Sequence, residues 1–156
     1  MMHWQWSKFE DLSPTDIYQI LKIRQEVFVL EQDCAYLDAD NLDISAWHLI
    51  VWDKNDKNKQ YISAYLRVVY PGLKYKEPAI GRLLTDAKSR RTGLGKQLMI
   101  EALAKIQTEY PGSSTRISAQ TYLLDFYTDL GFETINEPYD EDGIPHIEML
   151  HQAVKT

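Results

Sequence analysis

The chain has 156 residues, 44% hydrophobic and 26% charged, with a net charge of −6. That length suits one domain (residues 1–156) with a real core, and that apolar content excludes a disordered chain. No apolar run approaches the about 18 residues of a membrane span, the acidic balance lacks the basic footprint of a nucleic-acid binder, and one cysteine, Cys34, excludes an internal disulfide framework.

Residues 4–9 alternate around Trp4 and Trp6 as a first strand. Ser13 is a good N-cap and Pro14 a good first helical residue. Ile17, Ile20, Leu21, Arg24, Val27 and Phe28 then recur at helical spacing, so a helix with one apolar face runs to about Val29. Residues 30–45 show no period and read as a loop. Within it Asp38, Asp40 and Asp43 lack the glycine and distal glutamate of a calcium loop. They read as a solvated acidic loop or the edge of an amine-binding mouth. Residues 46–52 and 61–69 are rich in aromatic and β-branched residues, as strands are, and a polar hairpin connection, 53–59, joins them. Residues 79–85 form a fourth strand.

Next comes Arg90-Arg91-Thr92-Gly93-Leu94-Gly95, then a helix over 94–110 with Leu94, Leu98, Ala102, Leu103 and Ile106 inward. Pro111-Gly112 stops it. A short strand at 117–120, a helix at 122–130 closed by Gly131, and strands near 132–135 and 146–150 complete the order β-α-β-β-β-α-β-α-β-β, an α/β fold with a mixed sheet.

A strand, a glycine-rich turn and a helix together make a place to hold phosphate. Glycine lets backbone N–H groups approach closely, and the helix N-terminus attracts the anion. Arginine adds charge-assisted bonds. A Walker loop fails because Arg90 stands where its first glycine belongs and Gln97 where its Ser or Thr belongs. A dinucleotide fingerprint fails because Leu98 occupies its third glycine position. What remains, R-x-x-G-x-G, resembles the pyrophosphate loop of the GCN5-related N-acetyltransferases, the GNAT superfamily. Phe126-Tyr127-Thr128-Asp129-Leu130-Gly131-Phe132 is similar to a second segment of that superfamily. Further stretches resemble its ElaA-like branch: 24–32, 38–43, 47–49 and 142–149.

The resemblance implies a GNAT-like acyl-CoA N-acyltransferase fold with a mixed sheet of six to seven strands flanked by helices. It implies acetyl-CoA as cosubstrate, no metal, and a small-molecule or peptide amine as acceptor. The pyrophosphate would lie over Arg90, Arg91, Thr92, Gly93, Leu94, Gly95 and Lys96, and the pantetheine arm along the backbone of Leu83, Leu84 and Thr85. Tyr127 would be the general acid. Gln120 stands where the family often has Asn. His48, whose ordinary pKa of about 6.5 suits neutral pH, is the leading candidate base, with Glu31 and His146 as alternatives. Nucleic acid and membrane are not expected as partners, and a homodimer is the superfamily's habit. The absence of a basic or apolar signal region in the first six residues supports a cytoplasmic location. Residues 24–32 are also similar to acyl-homoserine-lactone synthases, and a non-catalytic acyl-CoA sensor is a reading of another class.

Overall fold

The structure, a computed structural model, describes residues 2–153. Met1 and residues 154–156 of the expected domain lie outside them. One sheet runs through the molecule: β1 (His3–Lys8), β2 (Ala46–Lys54), β3 (Gln60–Val69), β4 (Ala79–Thr85), β5 (Thr115–Gln120), β6 (Phe132–Thr134), β7 (Tyr139–Glu141) and β8 (Ile144–His151). Its spatial order is β1-β2-β3-β4-β5-β8-β6, with β7 also on β8. Among the described residues only β4 and β5 pair in parallel. The eighth strand beyond the expected six or seven is β7. It is three residues long, too short to show a period in sequence.

Both faces of the central strands are covered. In β2, Leu49 and Val51 face a core shared with α2 (Leu94–Glu109), while Ile50 and Trp52 face a core shared with α1 (Pro14–Arg24). That two-sided burial explains why β2 and β3 read as nearly continuous apolar runs. Leu94, Leu98, Met99, Ala102 and Ile106 seal the first core, together with Tyr127 of α3 (Leu124–Asp129) and Phe132. Each fully buried aliphatic side chain contributes about 1.5–3 kcal/mol.

Helix α1 begins as its sequence predicts. Ser13 Oγ accepts the Asp16 N–H and the Asp16 carboxylate accepts the Ser13 N–H, a reciprocal capping box. The helix then widens over Gln25–Glu31 into a π-helical segment. The chain thus stays helical past Val29 but changes its winding where Val27, Phe28 and Glu31 turn toward a cleft. Such segments often mark functional sites.

A bulge in β4 positions that cleft. Tyr65 pairs with Leu84 and Arg67 with Gly81, so β4 fits one residue more than β3 into the interval. Arg82, inside the bulge, has φ +55°.

Candidate active site

Pairing between β4 and β5 extends only from Ala79–Arg116 to Ile80–Ile117. Beyond it the strands diverge around a cleft of about 760 Å³. Gly81 to Thr85 line one wall and Ile117, Ser118 and Gln120 the other. Having lost its neighbour, this edge of β4 offers backbone N–H and C=O groups to an extended, amide-bearing ligand. Of the three residues expected there, Leu84 points into the α1-side core and Leu83 packs against the α2-side core, so backbone rather than side chain is what they offer.

At the end of that wall stands the glycine-rich turn. Gly93 caps α2 with φ +85°, a conformation that costs glycine little. Thr92 Oγ1 donates to the Ser89 carbonyl at 2.5 Å and accepts the Leu94 N–H at 3.4 Å. The Gln97 N–H bonds back to the Gly93 carbonyl. The N–H groups of Gly95 and Lys96 precede that bond and are available to an anion. A Cβ on Gly95 would meet only Thr85 Cγ2, at an ordinary 3.9 Å, so the neighbouring side chains leave this surface bare. Arg91, Thr92, Gly93 and Lys96 are exposed, whereas the Leu94 side chain belongs to the core and has only its backbone to contribute. Arg90 lines the cleft and spans it, donating to Glu31 at 2.5 Å and to the Thr85 carbonyl at 3.4 Å.

Tyr127 reaches the same cleft from α3. It is 8% exposed and is held edge-on by Phe126 and Phe132 at ring separations of 5.1 and 5.9 Å. Burial, with a smaller contribution from Tyr122, pushes its phenol well above the ordinary value. A phenol is protonated at neutral pH even at its ordinary value of about 10, and the shift keeps it so. Gln120 lies opposite His146 in the β5–β8 register, so their side chains share a face of the sheet.

His48 is not part of the cleft. It is 1% exposed, with Nε2 2.9 Å from the Asp43 carbonyl and Nδ1 2.7 Å from the Tyr65 hydroxyl. A carbonyl only accepts, so Nε2 carries the hydrogen and Nδ1 accepts from Tyr65. Burial lowers its pKa, partly offset by Asp43. Both nitrogens of this neutral imidazole are thus occupied, and the base role expected of it does not fit its place.

The acidic segment is not a solvated loop either. Arg24 pairs with Asp38 at 2.7 Å and Asp43 at 2.5 Å; Arg67 pairs with Asp43 at 2.9 Å and Asp40 at 2.5 Å. Arg82 closes the circuit on Asp38 at 2.8 Å and Asp40 at 3.4 Å. Three arginines and three aspartates alternate in a ring, with Arg24 and Arg67 at most 1% exposed. The ring clamps the 33–43 loop onto α1, β3 and β4, so that Cys34, Tyr36, Leu37 and Asp40 form part of the cleft wall. Arg24 on the apolar stripe of a helix, Arg67 and Arg82 within strands, and three aspartates in one loop were the available sequence signal.

A divergent β4–β5 pair, a bulged β4 and a phosphate-type turn at the following helix define the acyl-CoA N-acyltransferase class of fold. A model of the GNAT acetyltransferase domain matches residues 48–152. A UPF0039 protein of Synechocystis is 42% identical over 97% of this chain and 96% of its own length. The crystal structure of Escherichia coli ElaA is 34% identical, with a TM-score of 0.88 over 97% of this chain and 100% of that one. An acyl-CoA N-acyltransferase from Pseudomonas aeruginosa is 35% identical, with a TM-score of 0.89 over 97% and 99%. The chain belongs to the GNAT acetyltransferase superfamily, in its ElaA-like branch. Among the described residues no helix is long and apolar enough to cross a membrane.

Proposed function

We propose that the protein moves an acetyl group from acetyl-coenzyme A to a primary amine by direct attack. The observation that carries this reading is a cleft that joins an unpaired strand edge, a buried tyrosine hydroxyl and Arg90, which stands just ahead of the glycine-rich turn and helix start. The first-turn N–H groups with Arg90, Arg91 and Lys96 hold the pyrophosphate. The backbone of Leu83, Leu84 and Thr85 pairs with the pantetheine amides. The bound thioester supplies an electrophilic carbonyl carbon and a thiolate leaving group. Tyr127 gives that sulfur its proton.

Calorimetry with coenzyme A tests the assignment of the loop. Arg90→Ala combined with Gly93→Asp removes a cation and introduces a carboxylate where the anion sits, so affinity should fall by more than about tenfold. Unchanged affinity in a variant with an unaltered melting temperature would reject the site. Thiol release across polyamines, amino acids, aminoglycosides and peptides then separates an enzyme from a sensor, which would bind coenzyme A without turnover.

A further inference from the structure

One titratable side chain of the cleft has no role in the reading above. His146 on β8 lies in register with Gln120 of β5 and Tyr139 of β7. It is 7% exposed yet lines the cleft. Its Nδ1 lies 2.8 Å from the Ile144 carbonyl oxygen. Because that oxygen only accepts, Nδ1 carries the hydrogen, and Nε2 is the basic nitrogen of the neutral ring. Nε2 lies 3.3 Å from Glu141 Oε2, within ion-pairing distance of the carboxylate. A neutral ring gains little from that carboxylate, whereas an imidazolium is ion-paired with it. Tyr139 lies alongside the ring at 6.2 Å between centroids, and its hydroxyl is tied to Ser118 Oγ. The contrast with His48 is direct: there both nitrogens are hydrogen-bonded in the neutral state, whereas in His146 the hydrogen bond is made by Nδ1 and Nε2 keeps its lone pair. Glu31, the other alternative considered as a base, is paired with Arg90.

We propose that His146 is the catalytic base toward the acceptor, with Glu141 a positioning residue that stabilises the imidazolium. The assignment rests on the amine-acceptor reading above. An acceptor ammonium gives one proton to His146 Nε2. The freed lone pair forms the C–N bond to the thioester carbonyl carbon, and the C–S bond breaks with its electron pair on sulfur. Sulfur takes the Tyr127 proton, the new amide nitrogen returns its surplus proton to the phenolate, and His146 releases its own to solvent. One ammonium and one thioester yield one amide, one thiol and one proton.

The test compares ethylamine, an ammonium ion at neutral pH, with 2,2,2-trifluoroethylamine, of similar size but mostly unprotonated there. His146→Gln should lower turnover of ethylamine about 100-fold and that of trifluoroethylamine less than about threefold, with coenzyme A affinity unchanged. Glu141→Gln, at a half-exposed position that tolerates the change, should show the same split at about tenfold. Equal losses with both amines, or none, would overturn the base assignment alone. No acetylation of either amine by the unaltered protein would overturn the amine reading and this proposal with it. Nitrogen-15 spectra of histidine-labelled protein, with His146→Gln identifying the signal, give a check without turnover. Hydrogen on Nδ1 is expected, and hydrogen on Nε2 of the neutral ring would overturn the proposal.

Discussion

Replacing Tyr127 by Phe should lower kcat for acetyl transfer about 100-fold while leaving coenzyme A affinity within about twofold. The substitution removes one hydroxyl and keeps the ring that packs between Phe126 and Phe132, so the core should not notice it. A phenol is protonated at neutral pH at its ordinary value, and the upward shift that burial gives Tyr127 weakens it as an acid, so the proton passes only as negative charge builds on the sulfur. The effect should sit at the low end of general-acid contributions. A thiolate, with a conjugate pKa of about 8.5 for a simple thiol, leaves more readily than an alkoxide would. Steady-state kinetics at saturating acetyl-coenzyme A, beside calorimetry with coenzyme A, separates the two quantities. A parallel loss of binding and turnover would mean that Tyr127 shapes the cleft and does not donate the proton.

The largest effect on stability should come from Arg24→Ala. Truncating one partner of a buried ion pair leaves its carboxylates desolvated without their cation, which costs about 3–5 kcal/mol. For a chain of this size that is roughly 6–20 °C in melting temperature. The same ring sets the acid limit of the fold. Burial alone would raise the Asp40 carboxyl, but hydrogen bonds and charge from Arg67, with the Leu42 N–H and Arg82, hold it well below the ordinary range. For Asp43, burial likewise opposes a larger lowering by Arg24 and Arg67. Carboxyls depressed in the folded state stabilise it above the unfolded value of about 3.9, and that contribution disappears as pH falls through the folded values. Urea denaturation should therefore show stability held down to about pH 4 and falling below it. In Arg24→Ala the slope should be shallower, because Asp43 has lost one of its two cations. Parallel curves for the two proteins below pH 4 would show that the ring is not the source of acid sensitivity.

What could be read from the chain was what is local. The Ser13 cap, the inward stripe of α2 and the turn before it are specified by residues within a few positions of one another. The aromatic and β-branched runs of β2 and β3 marked strands but not neighbours, and the opening between β4 and β5 is a property of a strand pair. Arg24 falls on the apolar stripe of α1, and only the 33–43 loop, brought up by tertiary folding, shows why a charge can sit there. His48 was a candidate base for its ordinary pKa, and strand position says nothing of what covers a sheet face. His146 differs from it only through a backbone carbonyl two residues away and a carboxylate on a three-residue strand, neither visible as a pattern.

The most direct measurement of the central claim is the stoichiometry of products when the unaltered protein is incubated with acetyl-coenzyme A and an accepted amine. Free thiol is counted by a colorimetric reagent and N-acetylated amine by mass spectrometry. One acetylated amine per coenzyme A released, with neither formed above background without the protein, is the predicted result. Coenzyme A binding with no thiol released across the amine panel, or thiol released with no acetylated amine, would contradict it.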